Sequence, residues 1–228
     1  MEKNQIIKAL EKAKESSQKR NFRQTYDLII NLKNMDMKKT EHQIDAFISL
    51  PHPRGKKTKV CALIGPELEA SAKNSCDKYI LADEFQKLQK KDIKKLAEEF
   101  DFFVAQANIM AKIATSFGRI FGPRGKMPNP KAGCVVPPNA NLLPLYEKLQ
   151  KTIRVSSKTA PIIQCGVGVE DSAQEHLAEN ALTIYNSIIH LLPNEKNNIK
   201  DVLVKLTMGN PVRIEDAKQE LKKKRKSQ

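Results

Sequence analysis

The stretch VCALIGPELEASAKNSCDKYILA, residues 60–82, marks the point at which the sequence changes its pattern. Before it, the apolar residues of 44–50 alternate as in a half-buried strand, and Val60–Ile64 forms a second apolar run across a turn at 51–55, so we predict a hairpin. The Gly65-Pro66 break is followed by strands that alternate with helices, which is typical of a parallel α/β unit. We therefore predict a domain boundary after Gly65.

Outward from this break, apolar periodicity predicts further helices and strands on both sides. Helices are expected at 2–17, 67–77, 83–100, 108–117, 141–150 and 172–192, and strands at 79–82, 102–105, 163–169 and 202–206, with a long Gly and Pro loop at 118–139. The segments after Lys151 resemble the opening hairpin more than the middle of the chain. We therefore predict two domains, a first domain formed by 1–65 and 157–228 from both parts of the chain and a middle α/β domain, about 66–156, inserted at a surface turn.

Charge is the strongest signal in the composition. The 228 residues include 40 Lys and Arg against 26 Asp and Glu, which gives a formal charge of +14 and indicates a polyanionic partner. RNA, DNA and an anionic membrane all fit that sign. No stretch approaches the roughly 18 to 20 apolar residues of a membrane span, and residues 1–14 lack a signal-peptide core, so we expect a cytoplasmic protein without a membrane partner.

The sequence contains no recognisable catalytic or metal-binding set. Gly125-Lys126 suggests a phosphate-binding NTPase loop, but position 120 is Ile and position 127 is Met, where that motif needs Gly and Ser or Thr. The four His are isolated, and no nucleophile elbow is present. The four cysteines have no paired spacing and are expected to be buried free thiols: Cys61, Cys76, Cys134 and Cys165. We expect neither an enzyme nor a bound cofactor or metal.

The segment GRIFGPRGKMPNPKAG, residues 118–133, carries positive charge without compensation. No Asp or Glu occurs between Phe102 and Tyr146. Three prolines stiffen the segment, and its glycines permit positive φ and close approach of a ligand to the backbone. It is interpreted as a fixed cationic loop for phosphate, with an ordinary surface loop as the alternative. The residues proposed for this loop are Gly122, Arg124, Gly125 and Lys126.

Two further segments could contact nucleic acid. Lys19, Arg20 and Arg23 surround Phe22, whose ring could stack on a base while the cations hold phosphates; the alternative is that Phe22 is buried in the core. The turn Thr207-Met208-Gly209 follows an apolar strand that carries Lys205, and it could fit the minor-groove side of an RNA helix. The alternative there is a plain turn.

These segments together resemble the ribosomal protein L1 family. GPRGKMPNPKAG at 122–133 and KLTMG at 205–209 are the most specific matches, and NFRQTYDLIINLKNMD at 21–36, SLPHPRGK at 49–56 and AENA at 178–181 also fit. The segment at 139–142 and the basic tail resemble archaeal members.

The resemblance implies a discontinuous α+β first domain interrupted by a Rossmann-like second domain. Family members are structural components of the large ribosomal subunit, bind rRNA in the mobile stalk beside the tRNA exit site, and in several cases repress their own mRNA. The expected partners are therefore large-subunit rRNA, tRNA, the chain's own mRNA and other ribosomal components, with a monomer outside the ribosome. Residue by residue, the implied rRNA contacts are Phe22, Lys158, Thr207, Met208 and Gly209.

Two other functions remain open from the sequence. A nucleotide-dependent enzyme could use the middle domain, although the phosphate-loop spacing fails and no catalytic set is visible. A non-ribosomal RNA chaperone or ribosome-assembly factor could have the same fold. The basic run at 222–226 lies outside the family resemblance, and no role is assigned to it.

Overall fold

A computed structural model describes residues 1–214 and divides the chain into two compact units. The first unit contains Met1–Lys56 and the described residues from Ile153 onward, and the second contains Lys57–Thr152. The basic run at 222–226 lies outside the described residues.

The first unit is built around an antiparallel sheet. Its elements are α1 (Lys3–Glu15), β1 (Thr25–Leu32), β2 (Ile44–Ser49), β7 (Thr152–Ser157), β8 (Ile162–Val169), α6 (Gln174–Leu191), β9 (Ile199–Leu206) and β10 (Val212–Arg213). The four-stranded sheet has the order β10-β9-β1-β8, and β2 and β7 form a separate pair. The central strand β1 pairs antiparallel with both β8 and β9, so strands from the two ends of the sequence lie side by side.

One face of this sheet forms the core of the first unit. Alternate residues of β1, among them Tyr26, Leu28 and Ile30, are buried together with the apolar faces of α1 and α6. The residues between them, such as Asp27 and Ile29, lie on the other face and are partly exposed. The period-2 pattern of the sequence thus corresponds to a sheet covered by helices on one side only.

The second unit is a parallel α/β sheet. Its elements are β3 (Val60–Ile64), α2 (Glu69–Ser75), β4 (Lys78–Leu81), α3 (Lys90–Glu99), β5 (Phe102–Gln106), α4 (Met110–Arg124), β6 (Val135–Val136) and α5 (Leu142–Gln150). The strand order is β4-β3-β5-β6, and all of these pairs are parallel. Helices α2 and α5 contact each other, and α3 contacts α4. Because the strand order reverses at β3, the two helix pairs cover opposite faces of the sheet.

The predicted hairpin between 44–50 and Val60–Ile64 is wrong. β3 pairs with β4 and β5, while β2 pairs with β7. All five residues of β3 are buried, as expected for a strand covered on both faces, whereas an alternating strand has one polar face. The chain therefore enters the second unit before β3, at Lys57, and leaves it at Thr152.

The predicted loop at 118–139 begins too early. α4 continues through Gly118, Gly122 and Pro123 to Arg124. Its buried residues Ile113, Phe117 and Phe121 recur at i, i+4 and i+8, and this apolar stripe stabilises the helix despite two glycines and a proline. The first part of the cationic segment is therefore helical.

Candidate nucleic-acid interface

One end of the first-unit sheet brings distant residues together. β1 begins at Thr25, where it pairs with Val169 at the end of β8, and its next residue, Tyr26, pairs with Leu206 at the end of β9. The loop that contains Phe22 precedes β1, and the turn Thr207-Met208-Gly209 follows β9. The antiparallel register therefore places the two predicted RNA-contacting segments side by side.

The side chain of Thr207 fixes the turn to the first residue of β1. The Thr207 amide donates to the carbonyl oxygen of Thr25 at 3.0 Å, and the Thr25 amide donates to Oγ1 of Thr207 at 3.1 Å. The same hydroxyl donates to the Thr25 carbonyl oxygen at 3.2 Å. A hydroxyl has one donor and two acceptor sites, so one acceptor site remains for a ligand.

Gln24 supports the backbone of the next residue. Its side chain is buried, with 2% exposed, and its Oε1 accepts a hydrogen bond from the Met208 amide at 3.2 Å. The Met208 side chain itself is 64% exposed. Neither Gln24 nor Thr25 was predicted as part of this site, because no local motif reveals a partner more than 180 residues away along the chain.

Gly209 packs closely against the protein's own residues. A Cβ atom at this position would lie 2.1 Å from Oγ of Ser17, just beyond the end of α1, and 3.2 Å from Cβ of Leu206. Oγ of Ser17 is held there by donating to the carbonyl oxygen of Ala13 at 2.6 Å. The space on the Cβ side of Gly209 is therefore occupied by Ser17 and Leu206 of the protein itself.

Phe22 lies at the surface among cations. Its side chain is 48% exposed, so the alternative in which it is buried in the core is wrong. Lys19 and Arg20 are also exposed, and neither forms an ion pair within the described residues. Arg23 pairs through Nε with Oδ2 of Asp171 at 2.8 Å, but both side chains are well exposed, and such pairs contribute little to stability. The cations around Phe22 thus remain accessible to an anionic ligand.

Lys205 lies on the open face of the sheet, opposite Asp27 of β1. Burial raises the pKa of Asp27, and the positive charge of Lys205 opposes this shift only in part. Lys205 therefore has a neighbouring carboxyl group, unlike Lys19 and Arg20.

Lys158 is not brought to this end of the sheet. It follows β7 and precedes β8, whose first residue, Ile162, pairs with Asn31 near the far end of β1. Its Nζ lies 2.9 Å from Oδ2 of Asp45. Since a strand rises roughly 3.3 Å per residue, the length of β1 separates Lys158 from the Phe22 end by about 20 Å.

In the second unit, two of the predicted phosphate ligands bind within the protein. Arg124 donates to Oε1 of Glu98 at 3.0 Å. Nζ of Lys126 donates to the carbonyl oxygens of Phe100 and Asp101 at 3.0 and 3.2 Å, where α3 ends and its dipole is negative. The cationic loop therefore fixes α4 and the following turn against α3.

Gly125 ends α4 in the left-handed conformation, with φ of 64°. The Gly125 amide donates to the carbonyl oxygen of Gly122, and the Lys126 amide donates to the carbonyl oxygen of Phe121. These two hydrogen bonds form a Schellman cap. The prediction of positive φ is thus confirmed for Gly125, as it is for Gly133 at 76°. Gly122, by contrast, is an exposed residue of the helix.

The crevice where nucleotides bind in doubly wound sheets is filled. It lies at the carboxyl ends of β3 and β5, between which the strand order reverses. Buried Gln106 accepts from the Gly65 amide at 2.8 Å and donates to Oε2 of Glu67 at 2.9 Å, and its oxygen lies 3.0 Å from where a Cβ of Gly65 would be. This arrangement disfavours the nucleotide-dependent enzyme.

The described residues were also compared with the requirements of a metal site, a reactive thiol and a membrane span. They contain no cluster of His, Cys, Asp or Glu that could hold a metal ion. Burial raises the pKa of Cys61 and Cys165 to about 12, so these thiols stay protonated and unreactive. None of the helices in the described part of the chain is both long and apolar enough to span a bilayer.

Comparison with known proteins identifies the family. The model of the Ribosomal protein L1p/L10e family matches residues 10–210, which indicates a ribosomal protein. The chain is 43% identical over 212 residues to the large ribosomal subunit protein uL1 of Nanoarchaeum equitans, covering 91% of this chain and 98% of that protein. It is 39% identical to uL1 of Thermococcus kodakarensis over 94% of this chain and 98% of that protein. For uL1 of Methanothermobacter thermautotrophicus the identity is 41%, with 92% and 98% covered.

The chain therefore belongs to the Ribosomal protein L1p/L10e family, and these relatives are archaeal, as the sequence predicted. Membership identifies a ribosomal protein and not an enzyme. A ribosomal protein is associated with the ribosome in the cytoplasm, which confirms the expected localisation.

Proposed function

We propose that this protein is a structural component of the large ribosomal subunit and binds large-subunit rRNA at the Phe22 end of the first-unit sheet. The observation that carries the proposal is that Phe22 and Met208, from distant parts of the sequence, lie in adjoining segments and are both largely exposed, at 48% and 64%. Large exposed apolar side chains that are grouped on a surface indicate a binding site. The family and its large-subunit relatives support rRNA as the ligand.

The proposed site divides the work between charge and shape. Lys19 and Arg20, with Arg23 and Lys205 at its margins, would contact phosphates, which supplies affinity without sequence information. Phe22 would stack on a base or pack on a sugar, and Met208 would lie against the ribose surface of the minor groove. The hydrogen bonds of Thr207, together with the packing of Gly209, keep the turn rigid before the RNA arrives.

We further propose that the two compact units are two domains, a discontinuous α+β domain and an inserted Rossmann-like α/β domain. The sheet orders and the double crossing of the chain between units support this arrangement. By its family, the protein would lie in the mobile stalk beside the tRNA exit site, bind tRNA and its own mRNA, and be a monomer outside the ribosome. Lys158, which lies far from the Phe22 end, would contact a separate part of the rRNA.

The test compares exposed apolar residues inside and outside the proposed site. Phe22→Ala and Met208→Ala should each lower affinity for a transcript of the large-subunit rRNA by about 5- to 150-fold, the range for one lost stacking or packing contact of about 1 to 3 kcal/mol. Leu191→Ala is the matched control, because Leu191 on α6 is similarly exposed, at 47%. Filter binding at fixed salt, on variants with unchanged circular dichroism, measures the effect. Equal losses in all three variants would contradict the assignment.

Sedimentation separates the ribosomal role from that of an assembly factor. A structural component should be found with mature large subunits at about one copy per particle. Enrichment on precursor particles, with absence from mature subunits, would contradict the proposal and favour an RNA chaperone or assembly factor of the same fold.

A further inference from the structure

The exposed face of α4, in the second unit, has a composition that its own packing does not explain. Ile113, Phe117 and Phe121 are buried against the core of the unit. At 100° per residue, the opposite side of the helix carries Thr115 and Arg119 at its centre. We name this surface the α4 face and define it by Ala111, Lys112, Thr115, Gly118, Arg119 and Gly122.

The α4 face carries cations with no acidic partner. Neither Lys112 nor Arg119 forms an ion pair in the part of the chain that the structure describes. They differ in this from Arg124, on the same helix, which pairs with Glu98. No acidic residue occurs between Phe102 and Tyr146, so α4 has no acid of its own to compensate them.

The packing of the second unit does not require the two glycines of the α4 face. A Cβ added at Gly118 or Gly122 would meet nothing within 4 Å. Glycine inside a helix is unfavourable relative to alanine, and here the unit's own packing gives no reason for it. Gly125 is different, because its positive φ favours glycine. The open backbone at these positions allows a partner to approach the helix closely.

A cleft borders one side of the α4 face. It has a volume of about 450 Å³ and lies between α4 and the segment after β4, with Lys112 and Thr115 on one wall and Asp83 and Gln86 on the other. The carboxylate of Asp83 would repel phosphate from the cleft while accepting hydrogen bonds from hydroxyl groups. Phosphates would therefore lie toward Arg119, and the cleft has room for a nucleoside.

We propose that the α4 face is a second docking surface, for the phosphate backbone of RNA, and that it recognises charge and not sequence. Lys112 and Arg119 are seven residues apart, or about 10 Å along the helix axis, so both can contact one strand that runs across Gly118. An acidic membrane fits less well, because a membrane-binding helix needs large apolar residues beside its cations, and this face has none. The proposal does not depend on the site at the Phe22 end of the first unit.

The experiment uses the full-length protein and an oligouridylate of about 20 nucleotides, long enough to span a surface of this size. The variant with Lys112→Gln and Arg119→Gln should lose two phosphate contacts. Each contact contributes about 0.7 to the slope of log affinity against log salt, so the slope should fall by about 1.4. This corresponds to an affinity loss of up to about 25-fold at about 0.1 M salt and none near 1 M.

Two further variants separate this surface from general charge effects. Lys73→Gln with Lys148→Gln removes the same charge from α2 and α5, on the other face of the sheet, and should leave the slope and affinity unchanged. Gly118→Gln keeps every charge, folds because its side chain enters open space, and should weaken binding by obstructing the strand.

Equal losses from the two charge-reduced variants would overturn the proposal. Full affinity in Gly118→Gln would also overturn it, since the strand would then not cross the helix. For the rRNA transcript, the variant of Lys112 and Arg119 should lose affinity by the same factor as for oligouridylate. Phe22→Ala should reduce the preference for rRNA, so failure of the first-unit site and failure of the α4 face give different results.

Discussion

Gly209→Ala tests how the end of α1 supports the turn after β9. The new Cβ would lie 2.1 Å from Oγ of Ser17, so this hydroxyl must turn away and lose its 2.6 Å hydrogen bond to the carbonyl oxygen of Ala13. A hydrogen bond of this kind contributes about 0.5 to 1.5 kcal/mol. Because Cβ of Leu206 would also be only 3.2 Å away, the turn must shift by a few tenths of an ångström. Together these effects should lower the free energy of unfolding by about 1 to 2 kcal/mol.

A double-mutant cycle identifies the cause. Ser17→Ala removes the hydroxyl that the new Cβ would meet and alone should cost about 0.5 to 1 kcal/mol. The double variant with Gly209→Ala should be more stable than the sum of the single effects predicts, with a coupling of about 0.5 to 1 kcal/mol. Unfolding in urea at a constant m value measures the stabilities, and filter binding shows whether affinity for the rRNA transcript recovers in parallel.

Gly118→Ala is the control, because its Cβ enters open space and should stabilise the protein by up to about 1 kcal/mol. Strictly additive costs for Ser17→Ala and Gly209→Ala would refute the reasoning. They would mean that the Cβ does not meet Ser17.

Three other changes have expected outcomes. Thr207→Val removes the hydroxyl that bonds to Thr25, so stability and rRNA affinity should fall together, and loss of affinity at unchanged stability would contradict this. Arg154 and Lys158 hold the pKa of Asp45 at about 2, below its usual 3.8, so the stability from this carboxylate is present above pH 4 and lost as pH falls from about 4 to 2. Asp45→Asn should therefore lower stability at pH 7 by about 1 to 2 kcal/mol, allowing for partial exposure, and flatten acid unfolding, as urea titrations at pH 3 and 7 would show. Gly125→Ala forces φ of 64° on a residue with Cβ and should cost about 1 kcal/mol in thermal unfolding, with rRNA affinity unchanged.

Much of the secondary structure follows from local patterns. The period of 2 in β9 and the helical period in α1 and α6 predict those elements because each buries one face only. The pairing of β3 could not be predicted in the same way. A short apolar run looks alike in a hairpin and in the centre of a parallel sheet, and the choice depends on which strands pack beside it.

The candidate site was predicted less completely than the fold. Phe22 and Thr207-Met208 were identified by chemistry and by family resemblance, but their supports Gln24 and Ser17 depend on contacts between distant parts of the chain. The roles of the cations are equally non-local. Nζ of Lys126 binds the carbonyl oxygens of Phe100 and Asp101 because α3 ends beside it. The sequence around Lys126 does not reveal this contact.

The pairing of β1 with β9 sets an order for biosynthesis. Every strand of the second unit is made in one continuous stretch and can fold as soon as it leaves the ribosome, since domains fold as units during synthesis. The loop before β1 that contains Phe22 lacks its neighbouring turn until β9 and residues 207–209 have been synthesised. The proposed RNA site at this end of the sheet is therefore complete only when nearly all of the described residues have been synthesised.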